Sequence, residues 1–192
     1  MVRRVTIYTA CTADGLISGT NHELDWLFTE KYRGSDLGFS EFLNGIDVTI
    51  MGRNTYEFSK AYGPVFPGKK NYVFSRTLEQ LNDDSVQLVH ENPIDFVKKT
   101  KLEPGKNIWI VGGSCLNSEL LDAGLVDDLI LTIHPVFLGS GIALCNGLAS
   151  KHELSLLSCN TFTNGLVQLF YQVKNELHFQ KAKGNSIRAT PV

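Results

Sequence analysis

The chain has 192 residues, 43% of them hydrophobic and 20% charged, with a formal net charge of −2. That size and composition fit one globular domain that needs neither disulfide nor metal to build a core. The charge balance argues against a broad nucleic-acid face, which needs clustered cations to displace counterions. No apolar run approaches the roughly 20 residues of a membrane-spanning helix.

The first strand is predicted over residues 5–10. A short helix follows over 23–32, with Asn21 as its cap, and a second over 41–45, capped by Ser40. Residues 47–51 read as a buried strand and 54–62 as a helix. Residues 63–68 hold two prolines between glycines and must form a loop. Strands are predicted at 71–75 and 86–90. Pro93 then opens a helix that runs to about residue 101, and residues 103–106 break it. Residues 108–111 form a continuous apolar strand. The next helix, 114–123, carries Leu116, Leu120 and Leu121 on one face and stops at Gly124. Residues 129–136 make the longest strand, and 138–141 a loop.

Thr163-Asn164-Gly165 then joins two strands, 153–162 and 166–173, into a hairpin, because Asn-Gly supplies the positive φ angles that such a turn requires. Alternating βα units closed by a hairpin predict an α/β fold. It is a three-layer α-β-α arrangement with a mostly parallel mixed sheet and an antiparallel edge. One domain spans 1–175, followed by a polar tail over 176–192. Cys11, Cys115, Cys145 and Cys159 show no metal or redox spacing and are expected as reduced core residues. The basic start, Met1 to Arg4, precedes a stretch too short and too polar for an export signal, so a cytoplasmic location is expected.

Ligands of a parallel sheet bind beyond the carboxyl ends of its strands. Two strand ends carry suitable chemistry. Val111-Gly112-Gly113-Ser114 brings bare backbone and free helix N–H groups to where a phosphate could sit, or forms only a tight turn. It is not the G-x-G-x-x-G fingerprint. Met51-Gly52-Arg53-Asn54-Thr55 repeats the pattern and adds a guanidinium at a helix start, where the macrodipole disfavours a cation unless an anion joins it. Ser75-Arg76 and His90, at two further strand ends, could hold a second phosphate or be surface dressing. Thr132 and His134 on the longest strand could contact a substrate. Trp26 could stack on a flat heterocycle or pack the core.

These motifs, in order, resemble the dihydrofolate reductase superfamily, and in particular its riboflavin-biosynthesis branch, the RibD C-terminal-domain type. The matching segments are Tyr8-Thr9-Ala10-Cys11-Thr12-Ala13-Asp14-Gly15, Met51-Gly52-Arg53-Asn54-Thr55-Tyr56-Glu57, Gly68-Lys69-Lys70-Asn71 through Ser75-Arg76, Val111-Gly112-Gly113, and His134-Pro135-Val136-Phe137-Leu138-Gly139-Ser140-Gly141. They span residues 3–173. The resemblance implies a dihydrofolate reductase-like fold and an NADPH-dependent oxidoreductase.

By the same resemblance, Ala10 and Ile17 flank the nicotinamide. Gly52, Arg53, Asn54 and Thr55 hold phosphate and ribose. Phe74, Ser75 and Arg76 meet the adenine and the 2′-phosphate. Val111, Gly112, Gly113 and Ser114 cradle the pyrophosphate. Folate reductases supply a proton from a carboxylate on the first helix, which here points to Asp25, with Asp14 as the other candidate. The implied small-molecule substrate is 5-amino-6-(5-phosphoribosylamino)uracil. Dihydrofolate is the alternative, and nucleotide binding without turnover a third reading. Relatives of this kind suggest a homodimer through the terminal hairpin. The zinc deaminase signature that accompanies many such reductases does not occur.

Overall fold

The computed structural model describes residues 2–32, 34 and 36–174. The tail expected over 176–192 lies outside them. Among the described residues ten strands and four α-helices follow one another in a βα rhythm. The strands are β1 (Val5–Thr12), β2 (Leu16–Ser18), β3 (Ile46–Gly52), β4 (Lys70–Phe74), β5 (Val86–Val89), β6 (Asn107–Gly112), β7 (Asp128–His134), β8 (Ile142–Ala143), β9 (Leu154–Thr161) and β10 (Val167–Val173). The helices are α1 (Phe39–Asn44), α2 (Arg53–Ala61), α3 (Pro93–Leu102) and α4 (Ser114–Asp122).

Eight strands form one sheet in the order β5-β4-β3-β6-β1-β7-β10-β9. Those from β5 to β7 are parallel, and β10 and β9 add the antiparallel hairpin. β2 and β8 make a separate two-stranded ribbon. Each is too short to stand out in a sequence pattern.

Strand alternation builds two cores. Val5, Ile7, Val48, Ile50, Ile108 and Ile110 point to one face, where Val97 of α3 and Leu116, Leu120 and Leu121 of α4 cover them. Met51 and Val73 point to the other face, against Tyr56 of α2 and Val65. On that second face Trp109 of β6 meets Phe39 and Phe42 of α1 edge-on, with ring centroids 5.4 and 5.6 Å away. Helices therefore cover both faces, as the βα rhythm requires.

The helix expected over 23–32 is absent; only a single 3-10 turn, Glu30–Tyr32, forms there. Local side-chain bonds win over helix formation. The Glu23 carboxylate turns back to accept from the Asn21 backbone and side-chain amides at 2.9 and 2.8 Å, and His22 adopts a φ of +67°. Ser40 does not cap the next helix. α1 starts at Phe39, and the Asp36 carboxylate instead accepts from the Ser40 amide and hydroxyl at 3.1 and 2.6 Å. Pro93 does open α3, and the Asn92 side chain caps it. The cysteines are all free, but only Cys11 is buried; Cys115 and Cys159 are exposed, so they are not core residues.

Candidate active site

β3 and β6 are the strands from which the chain departs in opposite directions, β3 toward β4 and β5, and β6 past β1 to β7. This is the switch point where α/β sheets open a crevice beyond their strand ends. Met51 pairs with Gly112, so the two glycine-marked tips are side by side. A Cβ placed on Gly52 would lie 4.0 Å from the Gly112 carbonyl oxygen. Gly112 itself has a φ of +129°, outside the range of ordinary side-chain-bearing residues, which accounts for glycine at this corner. Gly52 and Gly113 start α2 and α4, and neither helix receives a side-chain cap. Their first N–H groups therefore remain for water or an anion.

A cavity of about 1800 Å³ opens over these tips. A pocket for one drug-sized ligand measures roughly 300–1,000 Å³, so there is room for a dinucleotide and a second molecule. Ala10, Ile17, Gly52, Arg53, Asn54, Thr55, Phe74, Ser75, Arg76, His90, Val111, Gly112, Gly113, Ser114, Thr132 and His134 all line it. Asp14, Asp25 and Trp26 do not. Asp14 is a loop clamp. Its carboxylate accepts from the Thr12 hydroxyl and from the Leu138 and Gly139 amides at 3.2 and 2.8 Å. These bonds, the Thr12 hydroxyl foremost, hold it below the usual carboxylate range, so it keeps no proton to give. Asp25 borders a separate small pocket beside Gly19 and Leu138. Trp26 is buried, and its ring meets that of His134 edge-on at 5.0 Å.

The two guanidiniums at the strand tips differ. Arg53 pairs with Glu57 one turn along α2, at 2.7 Å on the exposed surface. Arg76 has no hydrogen-bond or ion-pair partner among the described residues. The Ser75 hydroxyl accepts from the Thr77 and Leu78 amides at 3.2 and 3.1 Å, which shapes the turn that carries Arg76. His90 joins the neighbouring tip, its Nδ1 3.0 Å from the Ser75 carbonyl oxygen.

His134 is almost fully buried, and burial, with Lys31 nearby, pushes its pKa down to about 4. It is a neutral imidazole whose Nδ1 has no partner. Trp26 Nε1, Thr29 Oγ1 and Ser114 Oγ are likewise buried without a partner. The Ser114 hydroxyl is the one of these at the start of α4, where an anion would be held.

Several cavity residues were given no role in the sequence, although Tyr8 and Lys69 lie within matching segments. Tyr8, Asp36, Lys69 and Trp109 line the cavity, and Gln168 lies beneath it, 1% exposed. Two signals exist in the sequence. Tyr8 lies two residues before Ala10 on the same strand face, and Gln168 is an isolated amide in the apolar run Val167-Gln168-Leu169-Phe170. Asp36 carried no signal because it precedes the predicted start of the helix at 41, whereas α1 begins at Phe39 and Asp36 bonds to Ser40 in its first turn.

Comparison with known proteins now decides the family. Residues 3–168 match the RibD C-terminal domain family. The chain belongs to it. Two relatives in Bacillus subtilis (strain 168) are the uncharacterized proteins YyaP and YwjB. YyaP is 35% identical over 182 residues, 88% of this chain and 94% of its own. YwjB is 37% identical over 174 residues, covering 89% and 98%. Among solved structures, a Shewanella sp. PV-4 protein named for riboflavin biosynthesis superposes with a TM-score of 0.79 at 26% identity, over 91% of this chain and all of that one. The fold is thus the dihydrofolate reductase-like fold of RibD C-terminal domains, in a reductase-like family.

Whether a nicotinamide dinucleotide fits can be tested on the residues themselves. The Gly112 corner is bare: a Cβ there would meet nothing within 4 Å, and one on Gly113 only the Thr55 hydroxyl at 3.8 Å. An unpartnered guanidinium and an unpartnered hydroxyl border the same crevice. The donor set suits a molecule with phosphates at one end.

Proposed function

We propose that this protein is an NADPH-dependent reductase of a small heterocyclic or ribosyl substrate, with 5-amino-6-(5-phosphoribosylamino)uracil as the first compound to try. The observation that carries the reading is the adjacency of the Gly52 and Gly112 tips at the sheet's switch point, beneath one large cavity. Membership of the RibD C-terminal domain family supports it.

Gly52, Arg53, Asn54 and Thr55 on one side, and Val111, Gly112, Gly113 and Ser114 on the other, would hold the phosphates. Phe74, Ser75, Arg76 and His90 would meet the adenosine end and its extra phosphate. Ala10 and Ile17 would border the nicotinamide. When bound, the cofactor supplies a hydride, and the protein's part is alignment and exclusion of water. Thr132 and His134 would face the substrate, His134 as a neutral ring. Neither Asp14 nor Asp25 is retained as the proton source, because neither lines the cavity.

Fluorescence titration of the purified protein with NADPH and NADH, followed by NADPH oxidation with the aminouracil ribosyl phosphate and with dihydrofolate, tests the reading. Tighter binding of NADPH and oxidation by the uracil compound are expected. Oxidation by dihydrofolate alone would change the substrate. Binding without oxidation by either would leave a nucleotide-binding protein, and no binding would overturn the reading.

A further inference from the structure

Three adjacent strands bring a polar triangle to the floor of the cavity. Gln168 of β10 is opposite Thr132 of β7, and Thr132 is opposite Ala10 of β1, two residues beyond Tyr8. The Gln168 Nε2 donates to the Tyr8 hydroxyl at 2.9 Å and to the Thr132 hydroxyl at 3.1 Å. Gln168 is 1% exposed and Thr132 3%, so this amide is placed by the sheet and not by solvent.

An amide nitrogen has two protons and no accepting capacity. With both protons given to hydroxyl oxygens, each hydroxyl is the acceptor toward the amide nitrogen, and its own proton must point elsewhere. Among the described residues the carbonyl open to the Tyr8 proton is that of Leu37 at 3.4 Å, a long and weak bond, while the Thr132 hydroxyl is close enough to act as a further donor to the phenol oxygen. Tyr8 and Thr132 both line the cavity. Phe39 and Phe42 hold the Tyr8 ring edge-on at 5.5 and 4.7 Å, which fixes where its hydroxyl sits.

We infer that the Tyr8 hydroxyl is the hydrogen-bond donor that seats an acceptor atom of the substrate, a carbonyl oxygen or a ring nitrogen, and that Gln168 is the positioning residue that turns its proton toward the cavity. This rests on the reductase reading for the identity of the molecule, but the direction of the hydrogen bonds stands without it. The substrate class that follows is one whose reduced carbon is double-bonded to a nitrogen or oxygen, and that heteroatom's lone pair accepts from Tyr8. When bound, the cofactor would supply a hydride to that carbon, and Tyr8 would give its proton to the heteroatom that takes up the π pair. Water then restores the phenol.

Two measurements test it, the first with no ligand. The phenol titration of Tyr8 is isolated as the ultraviolet signal missing from Tyr8→Phe, and is followed in the wild type and in Gln168→Leu. Removing a donor to the phenolate oxygen raises the pKa; removing an acceptor of the phenol proton lowers it. A rise is expected, and a fall or no change overturns the orientation. The second measurement is NADPH oxidation with the aminouracil ribosyl phosphate. Tyr8→Phe and Gln168→Glu should each lower kcat/KM on the order of 10- to 100-fold, with the NADPH dissociation constant unchanged. A carboxylate at 168 accepts both hydroxyl protons and withdraws them from the substrate, whereas Gln168→Leu, which leaves them free, should lose less than tenfold. Wild-type kcat/KM in Gln168→Glu would overturn the proposal. Should the wild type oxidise NADPH with no substrate tried, the reductase reading fails and the titration alone decides the role of Gln168.

Discussion

Apart from Arg53, which pairs with Glu57 on its own helix, cations at the two ends of the sheet are treated differently. Where the parallel strands begin, Arg3 pairs with Asp47, Arg4 with Asp128, and Lys101 with Asp127 at 2.6 Å. Where they end, Arg76 has no partner among the described residues. A free guanidinium at the cavity rim costs little in water and is ready for a bidentate bond to phosphate. Arg76→Ala is therefore expected to weaken NADPH on the order of 10- to 100-fold and NADH hardly at all, as read by fluorescence titration; equal losses would remove Arg76 from the 2′-phosphate. His134 gives a second expectation at this scale. Its pKa is lowered to about 4 in the fold from an ordinary 6.5, so the unfolded chain binds more protons between those values. Its stabilising contribution is complete above pH 6.5 and is lost as pH falls toward 4. That difference amounts to about 2 kcal/mol between pH 7 and pH 5. His134→Gln should flatten the urea midpoint across this range, while an unchanged pH slope would show that other groups set it. Residues like Arg76 and Gly112 were legible because strand-end position and residue type name their chemistry. Tyr8 and Gln168 were not, because their role exists only once β1, β7 and β10 are neighbours.

Among the elements, the strand–glycine–helix corners are the ones proposed to hold the phosphates, and their backbone can be probed without breaking them. Gly113 has a φ of −61°, open to any residue, and an added Cβ meets only the Thr55 hydroxyl, at 3.8 Å. Gly113→Val should fold with a near-normal melting temperature yet lose detectable binding of NADPH, since its branches would enter the gap between α2 and α4. Unchanged affinity would make the corner purely architectural. The loop over 63–68 is held in another way. Asn71 is buried; its Nδ2 donates to the Val65 and Ser85 carbonyls at 2.8 and 3.0 Å, and its Oδ1 accepts from Thr49 at 2.6 Å. Asn71→Leu leaves these groups without partners and should cost about 2–4 kcal/mol, measured by urea denaturation. A loss below 1 kcal/mol would show that water replaces the amide. The element boundaries followed from glycine, proline and apolar period nearly everywhere. They failed over 23–32, where Glu23 bonds back to Asn21 and the apolar residues Leu24, Trp26, Leu27 and Phe28 serve the cavity and the core instead of one helix stripe.

At the scale of the whole molecule, the parallel sheet and its closing hairpin were legible from the βα rhythm and the Asn-Gly turn. The strand order was not, since pairing β6 between β3 and β1 depends on contacts remote in sequence. That order leaves β9 at the sheet's edge with Leu154, Leu156 and Leu157 exposed among the described residues, Leu157 at 62%. A long edge strand carrying leucines invites pairing with another chain unless charge or cover prevents it. The other residues of β9 are two serines, a cysteine, an asparagine and a threonine, none of them charged. The edge is thus undefended in the way edges of monomers usually are not. We expect the protein to form a dimer through it, with a mass twice the 21.3 kDa of the chain, measured by sedimentation at micromolar concentration. Leu156→Glu combined with Leu157→Lys should yield a folded monomer, because both face solvent in a single chain and their replacement removes only apolar surface available to a partner. A monomeric wild type, or a dimer that survives both changes, would move the interface elsewhere. NADPH affinity should be the same in monomer and dimer, because β9 is at the far side of the sheet from the β3 and β6 tips that line the cavity.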